Sequence, residues 1–410
     1  MGALVAARRF LGVGSVMTSI LPFERATRES PENIAVTRGP YSPRMSSYSV
    51  LPPLETGSGP IRGSTYLPSI PEQVLWGRLP CERDEAVEIV EPGTEVTFDT
   101  VSHEGILEDQ GRDPEAFFAT HGVEHVLSDA IAIAATDDST HPRTFGVDGP
   151  HVVSRPLGVA GARVGDLLAV TIMETLPRVP YGVISNRHGK GALPGEFPLE
   201  GQVFSAFAGV DASGTRGLLP LVPGAEPLVS FPLAPFLGVI GVAVPGSVRP
   251  HSVPPGAHGG NIDINLLTVG STFYLPVQVE EALVYVGDPH FAQGDGEVAL
   301  TAMEASLRAT VRLDVVARED ALHEFGELAG PLAETAEYLV PTGLDEDLDV
   351  AMANCVRAAV GLLQARYGMD PSLALAYLSA ATDFDISQVV DLVKGVHARI
   401  RKDDFSLVPR

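Results

Sequence analysis

Two short segments hold the residues best suited to chemistry. Residues 286–297, VGDPHFAQGDGE, carry Asp288, His290, Asp295 and Glu297 among three glycines. Upstream, HGGNIDIN (258–265) carries Asn261 and Asp263 behind Gly259 and Gly260. In each segment the polar groups stand two apart, and residues i and i+2 of an extended chain share a face. Asn261 with Asp263, Asp288 with His290, and Asp295 with Glu297 can thus each project two groups into one cleft. Mixed Asp, Glu and His donors suit a divalent cation: Zn²⁺ first, with Ca²⁺ or Mn²⁺ as alternatives. The glycines permit positive φ and close backbone approach, and N–H groups in such turns can hold an oxyanion. Asp-Pro and Asp-Gly are also ordinary turn chemistry, so GDPH or GDGE alone reads first as a plain turn; the two together, with HGGNID upstream, point as much to a metal or catalytic cluster.

Three further stretches are candidates. TVSHEGILEDQGRD (100–113) offers His103, Glu104, Glu108 and Asp109 just after a predicted strand. His103 is the candidate there for completing a metal site, and a solvated polar loop is the competing reading. His141, in STHPRTFGVDGP, either supports such a site or lies in a loop. NRHGKGALPGEF (186–197) reads as a lid over substrate or as surface. Other chemistries lack their signatures: there is no G-x-S-x-G elbow, no phosphate-binding G-x-x-x-x-G-K-[ST] and no C-x-x-C pair. Cys355 falls in the apolar period of a predicted helix, a core position, and Cys81 has no base beside it.

The elements that must position these residues are mostly strands. TEVTFDTV, DLLAVTIME, FLGVIGVAV, STFYLPVQV, ALVYVG and LRATVRLDVV are alternating or apolar β-branched runs bounded by turn residues. The 42 Gly and 34 Pro agree with many turns. The expected fold is mainly β, a sandwich-like or barrel-like body with a C-terminal α/β segment. Residues 346–366 space apolar residues as one helix face. DPSLALAYLSAAT is a second helix capped by Asp370 with Pro371 first, and DISQVVDLVKGVHARI returns to strand. The expected organisation is a disordered or draped leader (1–65), a β-rich body (66–335) and a helical C-terminal segment docked on it (336–410).

Composition bounds the partners. Lys plus Arg number 28 against 52 for Asp plus Glu, a formal charge of −24. Such a chain repels phosphate backbones, so nucleic acid is not an expected partner. Two cysteines give no disulfide framework and suit a reducing compartment. No uninterrupted apolar run reaches the roughly 18 residues of a membrane span. ARRFLGVGSVMTSILPF, with Arg8 and Arg9, has weak export character, and cytoplasmic residence is the expectation.

The motif pair GGN-x-D and GDPH-x-x-QGDGE resembles the acetamidase/formamidase family, as do FLGVIGVAVPG, RPLGVAGARVGDLLAVTIMETLPR and the closing segment from residue 344. The resemblance spans residues 70 to 410. It implies a cytoplasmic, homo-oligomeric hydrolase (dimer or higher) with a mainly β fold and a bound divalent metal, releasing ammonia and a carboxylate from short linear amides. By motif it makes Asn261, Asp263, Asp288, His290, Asp295 and Glu297 the site. The resulting expectation assigns Asp263, His290, Asp288 and His103 to the metal and Glu297 to the general base. Asp295 raises the basicity of Glu297, and Asn261 steadies the oxyanion. The alternatives are a metal hydrolase of cyclic amides, esters or lactones, and a non-catalytic metal- or ligand-binding protein.

Overall fold

The computed structural model describes residues 52–136 and 142–408. Arg8, Arg9 and His141, singled out above, lie outside the described residues. Two large sheets form the body. One has nine strands and the other ten. All six runs named from the sequence are strands: Thr94–Asp99, Leu167–Pro177, Thr272–Pro276 and Leu307–Val316 in the first sheet, Phe236–Val242 and Val284–Ala292 in the second. Their inward residues pack into one core. Val96, Phe98, Leu168, Val170 and Phe273 from the first sheet meet Leu237, Ile240, Val242, Val284 and Val286 from the second. The fold is thus a mainly β sandwich.

The second sheet carries the chemistry. Its central order runs from Tyr181–Arg187 through Met303–Glu304 and Val284–Ala292 to Phe236–Val242 and Gly259–Asn261. The Val284–Ala292 strand is buried along almost its whole length. Its apolar residues are flanked by a short strand, Val152–Ser154, paired through Val153 to Gly287.

The C-terminal residues are more strand-rich than a helical segment. Leu348–Tyr367 and Pro371–Ala381 are helices, and Asp370 caps the second by accepting from the N–H groups of Ser372 and Leu373. Around them Leu332–Glu334, Tyr338–Asp345, Lys394–Arg401 and Asp383–Gln388 continue the nine-stranded sheet. The first helix buries Ala351, Cys355, Ala359 and Leu362. Gly343 lets it come close, since an added Cβ there would lie 2.2 Å from the Ala351 carbonyl.

Residues 52–64, expected to belong to a loose leader, are tied to the body. The Leu54 N–H donates to the Arg178 carbonyl at 2.7 Å. Arg308 donates to the carbonyls of Pro60 (3.0 Å), Glu55 (3.2 Å) and Ser58. The cause is two buried guanidiniums, each with five N–H donors. The sheet alone does not satisfy them, and this segment supplies the missing acceptors.

Candidate active site

Seven loops and strands converge on one buried cluster of acids and imidazoles. His103 and Glu104 follow the Thr94–Asp99 strand, and His151 precedes Val152–Ser154. Asp263 follows Gly259–Asn261. Asp288 and His290 lie within Val284–Ala292, Glu304 ends the next strand, and Glu297 and Asp391 come from loops. All are buried. The strand register explains the central contacts. His290 stands opposite Glu304 on one side and opposite Phe236 on the other. His290 Nε2 lies 3.1 Å from both Asp288 Oδ2 and Glu304 Oε1, and its Nδ1 lies 3.1 Å from Gln293 Oε1. His103 Nδ1 lies 3.3 Å from Asp288 Oδ1, and its Nε2 lies 3.4 Å from Glu104 Oε1. His151 Nε2 is 3.8 Å from Asp288 Oδ2, while its Nδ1 is held by Ser252 Oγ at 3.0 Å.

Gly238 makes room for this convergence. Its strand neighbours Leu237 and Val239 pair with Pro289 and Gly287, which sets Gly238 across from Asp288. An added Cβ would lie 2.6 Å from Asp263 Oδ1, 2.6 Å from His290 Cε1 and 2.8 Å from Asp288 Oδ2. Three of the acids also pay in backbone strain. Asp263 (φ 49°), Asp288 (φ 49°) and Glu297 (φ 45°) occupy the left-handed region, which costs a non-glycine residue of order 1 kcal/mol or more. Left-handed backbone turns each carboxylate away from the plain alternation of a strand and into the cluster.

The electrostatics follow from burial. Burial opposes charge on His103, but Asp288, Glu104 and Glu304 overcome it and hold its pKa up at about 10. His290 is likewise raised well above the usual imidazole range by Glu304 and Asp288 against burial. His151 is pushed down to about 4, chiefly by burial. Among the acids, Asp263 rises to about 8 through burial and the negative charge of Asp288. Asp288 is held well below its normal range, against burial, by His151, His290 and His103. Glu297 is raised well above by burial and by repulsion from Asp263 and Asp391. Glu104 falls to about 2, against burial, because Arg187 and His103 stabilise its charge. Arg187 Nη1 reaches Glu104 Oε1 at 3.0 Å and its Nε reaches Asp109 at 2.7 Å.

Of the residues chosen from the sequence, Asp263, Asp288, His290, Glu297 and His103 come together here. Asp295 does not. Gly296 (φ 101°) and Glu297 break the extended geometry that would have put Asp295 and Glu297 on one face. Asp295 instead turns outward, bonded by Asn265 Nδ2 at 3.0 Å. The like-charge pressure on Glu297 comes from Asp263 and Asp391, not from Asp295. Asn261 is buried next to the cluster in sequence, and its Oδ1 has no hydrogen-bond partner. Arg187, expected on a lid, is a ligand of Glu104, whereas His188 and Lys190 are exposed.

His151 and Glu304 were not singled out from the sequence. Glu304 had a usable signal, a lone acid inside the apolar run ALTAMEASL before a strand. His151 had none beyond its place before VVS. Asp391 arrives through the loop between the last two strands. That loop is pinned to the Glu297 loop by a parallel bridge from Gly296 to Gln388, with Val389 N–H donating to the Gly296 carbonyl at 3.2 Å.

The cluster suits a cation. His103 Nδ1, both Asp263 oxygens, Asp288 Oδ1 and Glu304 Oε2 are buried without a hydrogen-bond partner. Buried charged atoms in that state are costly unless something binds them. His103, His151 and Asp288 form one group of donor atoms within 4.8 Å of one another. Asp288, His290 and Glu304 form a second, and Asp263, His290 and Glu297 a third. Next to the cluster a cavity of about 20 Å³ is lined by Glu104, Phe118, Tyr181 and Glu304, room for roughly one water. Another cavity, of about 840 Å³, lies elsewhere, between the Leu348–Tyr367 helix and the loop at Pro255. It contains none of these donors, so the chemistry is placed at the cluster.

The fold is that of a known class. The acetamidase/formamidase family matches residues 118–249 and 246–401, and the chain belongs to it. It is accordingly an amidase acting on carbon–nitrogen bonds other than peptide bonds. The formamidase of Methylophilus methylotrophus is 26% identical over 325 residues, 63% of this chain and 78% of that one. The acetamidase of Mycolicibacterium smegmatis is 28% identical over 219 residues, 40% of this chain. That match covers 53% of the relative, about half its length. Among solved structures, an acetamidase from Bacillus halodurans superposes with a TM-score of 0.63 at 24% identity, covering 84% of this chain and all of that one. An acetamidase from Yersinia enterocolitica gives 0.66 at 23% identity, over 85% of this chain and 94% of that one. These likenesses establish the shared fold.

Proposed function

We propose that the protein hydrolyses short linear amides of the formamide and acetamide type, and that it does so with a divalent metal, Zn²⁺ first. The observation that carries this is the set of partnerless buried donors on His103, Asp263, Asp288 and Glu304, gathered round His290. His103, His151, Asp288, His290 and Glu304 would hold the ion. Bound there, such an ion polarises an amide carbonyl and lowers the pKa of water toward neutrality.

The chain's own groups do the rest. Glu297 enters from its strained turn on the Asp263 side of the cluster. It takes a proton from the attacking water and returns it to the departing nitrogen, which leaves as ammonia. Burial, with repulsion from Asp263 and Asp391, raises the basicity of that carboxyl well above the usual carboxylate range. His151, neutral because of its burial, has its Nε2 lone pair available to the ion. Ser252, bonded at Nδ1, fixes the ring's orientation. The small cavity and the close walls at Phe118 and Tyr181 favour a small acyl group.

The proposal extends to a cytoplasmic homo-oligomer, for which the exposed apolar edge strand Pro227–Pro232, with Leu228 and Val229 outward, offers a surface. The test is elemental analysis of the purified protein with ammonia release measured over formamide, acetamide, propionamide, butyramide and benzamide. About one equivalent of metal at this site and the highest kcat/KM at one to three carbons are expected. Full activity after complete metal removal would overturn the metal. Turnover of a cyclic amide with none of the linear series would overturn the substrate.

A further inference from the structure

A second group of donors lies on the outer side of the Glu297 loop. Asp295, Asp385 and His397 each place a donor atom within 4.8 Å of the other two. Asp385 and His397 are direct cross-strand partners in the antiparallel pair Asp383–Gln388 and Lys394–Arg401. Their side chains therefore share a face, and Asp295 reaches that face from the loop between His290 and Glu297.

The histidine marks this as more than an acidic patch. His397 is fully buried, at 0% exposure. Its Nδ1 shares a hydrogen bond with Ser387 Oγ at 2.8 Å, and its Nε2 has no partner. A ring held at one nitrogen by a hydroxyl, with the other left free and buried, is how metal-ligating histidines are commonly oriented. Burial pushes its pKa down to about 4, so the ring is neutral and its lone pair available. The carboxylates retain capacity as well. Arg399 Nε takes Asp385 Oδ2 at 2.6 Å and Asn265 Nδ2 takes Asp295 Oδ1 at 3.0 Å. One oxygen of each acid is left over, and Arg399 Nη2 is drawn 3.5 Å toward Asp383.

We infer that Asp295, Asp385 and His397 form a second divalent-cation site, separate from the catalytic cluster, that fastens the Glu297 loop to the C-terminal strands. One imidazole and two carboxylates suit a borderline ion such as Zn²⁺ or Mn²⁺, with water completing the shell. The place explains the use. The loop already meets these strands through Gly296 N–H to the Ser387 carbonyl at 3.1 Å and Gln293 Nε2 to the same carbonyl at 3.2 Å. A cation bound at Asp295 adds a side-chain clamp two residues before Glu297. The inference does not rest on the proposed amide chemistry, because it concerns different ligands and a different readout.

The experiment is Zn²⁺ binding to the full-length protein by equilibrium dialysis and elemental analysis, comparing the wild type with Asp295→Asn and His397→Gln. Circular dichroism checks the fold, and hydrogen exchange follows residues 293–297. The wild type is expected to hold one more Zn²⁺ equivalent than either variant. Zn²⁺ should slow exchange in 293–297 at least about threefold in the wild type and not in Asp295→Asn. Asp295 is exposed and its amide is isosteric, so that variant decides the matter even where His397→Gln fails to fold. Equal stoichiometry in the wild type and Asp295→Asn overturns the site. Loss of every equivalent in Asp295→Asn overturns it too, because a separate site empties alone.

Discussion

Arg308 in the nine-stranded sheet and Arg178, one residue past its Leu167–Pro177 strand, are as deeply buried as His290 in the ten-stranded one, each at 0% exposure. Their surroundings differ in one respect. Arg308 is bidentate on Asp99, at 2.6 and 2.8 Å, and spends its other donors on backbone carbonyls. Arg178 meets Asp129 at 2.8 Å together with Thr56, Ser69 and the carbonyls of Leu54 and Thr100. None of the side-chain atoms of these four residues lacks a partner among the described residues. The cluster around His290 has Asp263, Asp288, Glu297, Glu304 and Asp391 against three histidines, and several of its oxygens have nothing to bond. Balanced buried charge with every hydrogen bond made is a structural device. Surplus buried carboxyl groups with open lone pairs are what the proposed metal would bind.

That contrast can be broken by substitution. The largest stability effect should come from Arg308→Met, which strands Asp99 in the core and is expected to cost about 3–5 kcal/mol in urea unfolding. Specific activity per folded molecule should stay near wild type. Deletion through residue 60 removes carbonyls that both arginines use, so it should also lower stability, by a smaller amount. A truncated protein as stable as the full chain would mean that those contacts carry no weight.

Gly238→Ala is the counterpart at the site. The new methyl must displace Asp263, Asp288 or His290, so kcat/KM should fall about 10²-fold or more, since misplacement by an ångström costs that much. Circular dichroism should stay unchanged. Glu297→Gln sharpens the point from the other side. It should lower kcat about 10²-fold and leave the Tm unchanged or raised, because it relieves repulsion from Asp263 and Asp391. A clear fall in Tm would mean that Glu297 is held as the arginines are, as part of a satisfied network.

The smallest effect concerns pH. His258 and His397 are each pushed down by burial to about 4, below the ordinary imidazole value of about 6.5. A depressed folded-state pKa means that the unfolded chain takes up the proton first. Their contribution is therefore complete above pH 6.5 and lost as pH falls toward 4. Each adds a slope of up to about 1.4 kcal/mol per pH unit in that window. Replacing His258 with Gln should flatten part of the acid limb of a stability–pH curve; an unchanged limb would assign it to other groups.

Much of this was legible in the sequence. The apolar alternation of TEVTFDTV and LRATVRLDVV marked strands that are there, and the Asp370-Pro371 start marked a helix that is there. The pair HGGNID and GDPHFAQGDGE contained four of the residues that meet at the cluster. What misled was the assumption of regular extension. Positive φ at Asp263, Asp288 and Glu297 redirects those side chains, and Asp295 is left on the other side of its loop. His151, Glu304 and Asp391 join through strand order and loop crossing, which spacing along the chain does not encode. The same holds for Arg178 and Arg308. Each sits at a strand where an exposed charge would look equally natural, and only the docking of residues 54–60 reveals them as buried.

The bridge between Gly296 and Gln388 has a consequence for how the protein comes into being. During synthesis His103 emerges some 290 residues before Asp391, and the Glu297 loop lacks its bonds to Ser387 and Val389 until the final hairpin is made. A growing chain can assemble most of both sheets and still hold an open, inactive centre. Activity should thus appear abruptly with the last strands rather than in proportion to length, so unfinished chains would not hydrolyse amides while still being made.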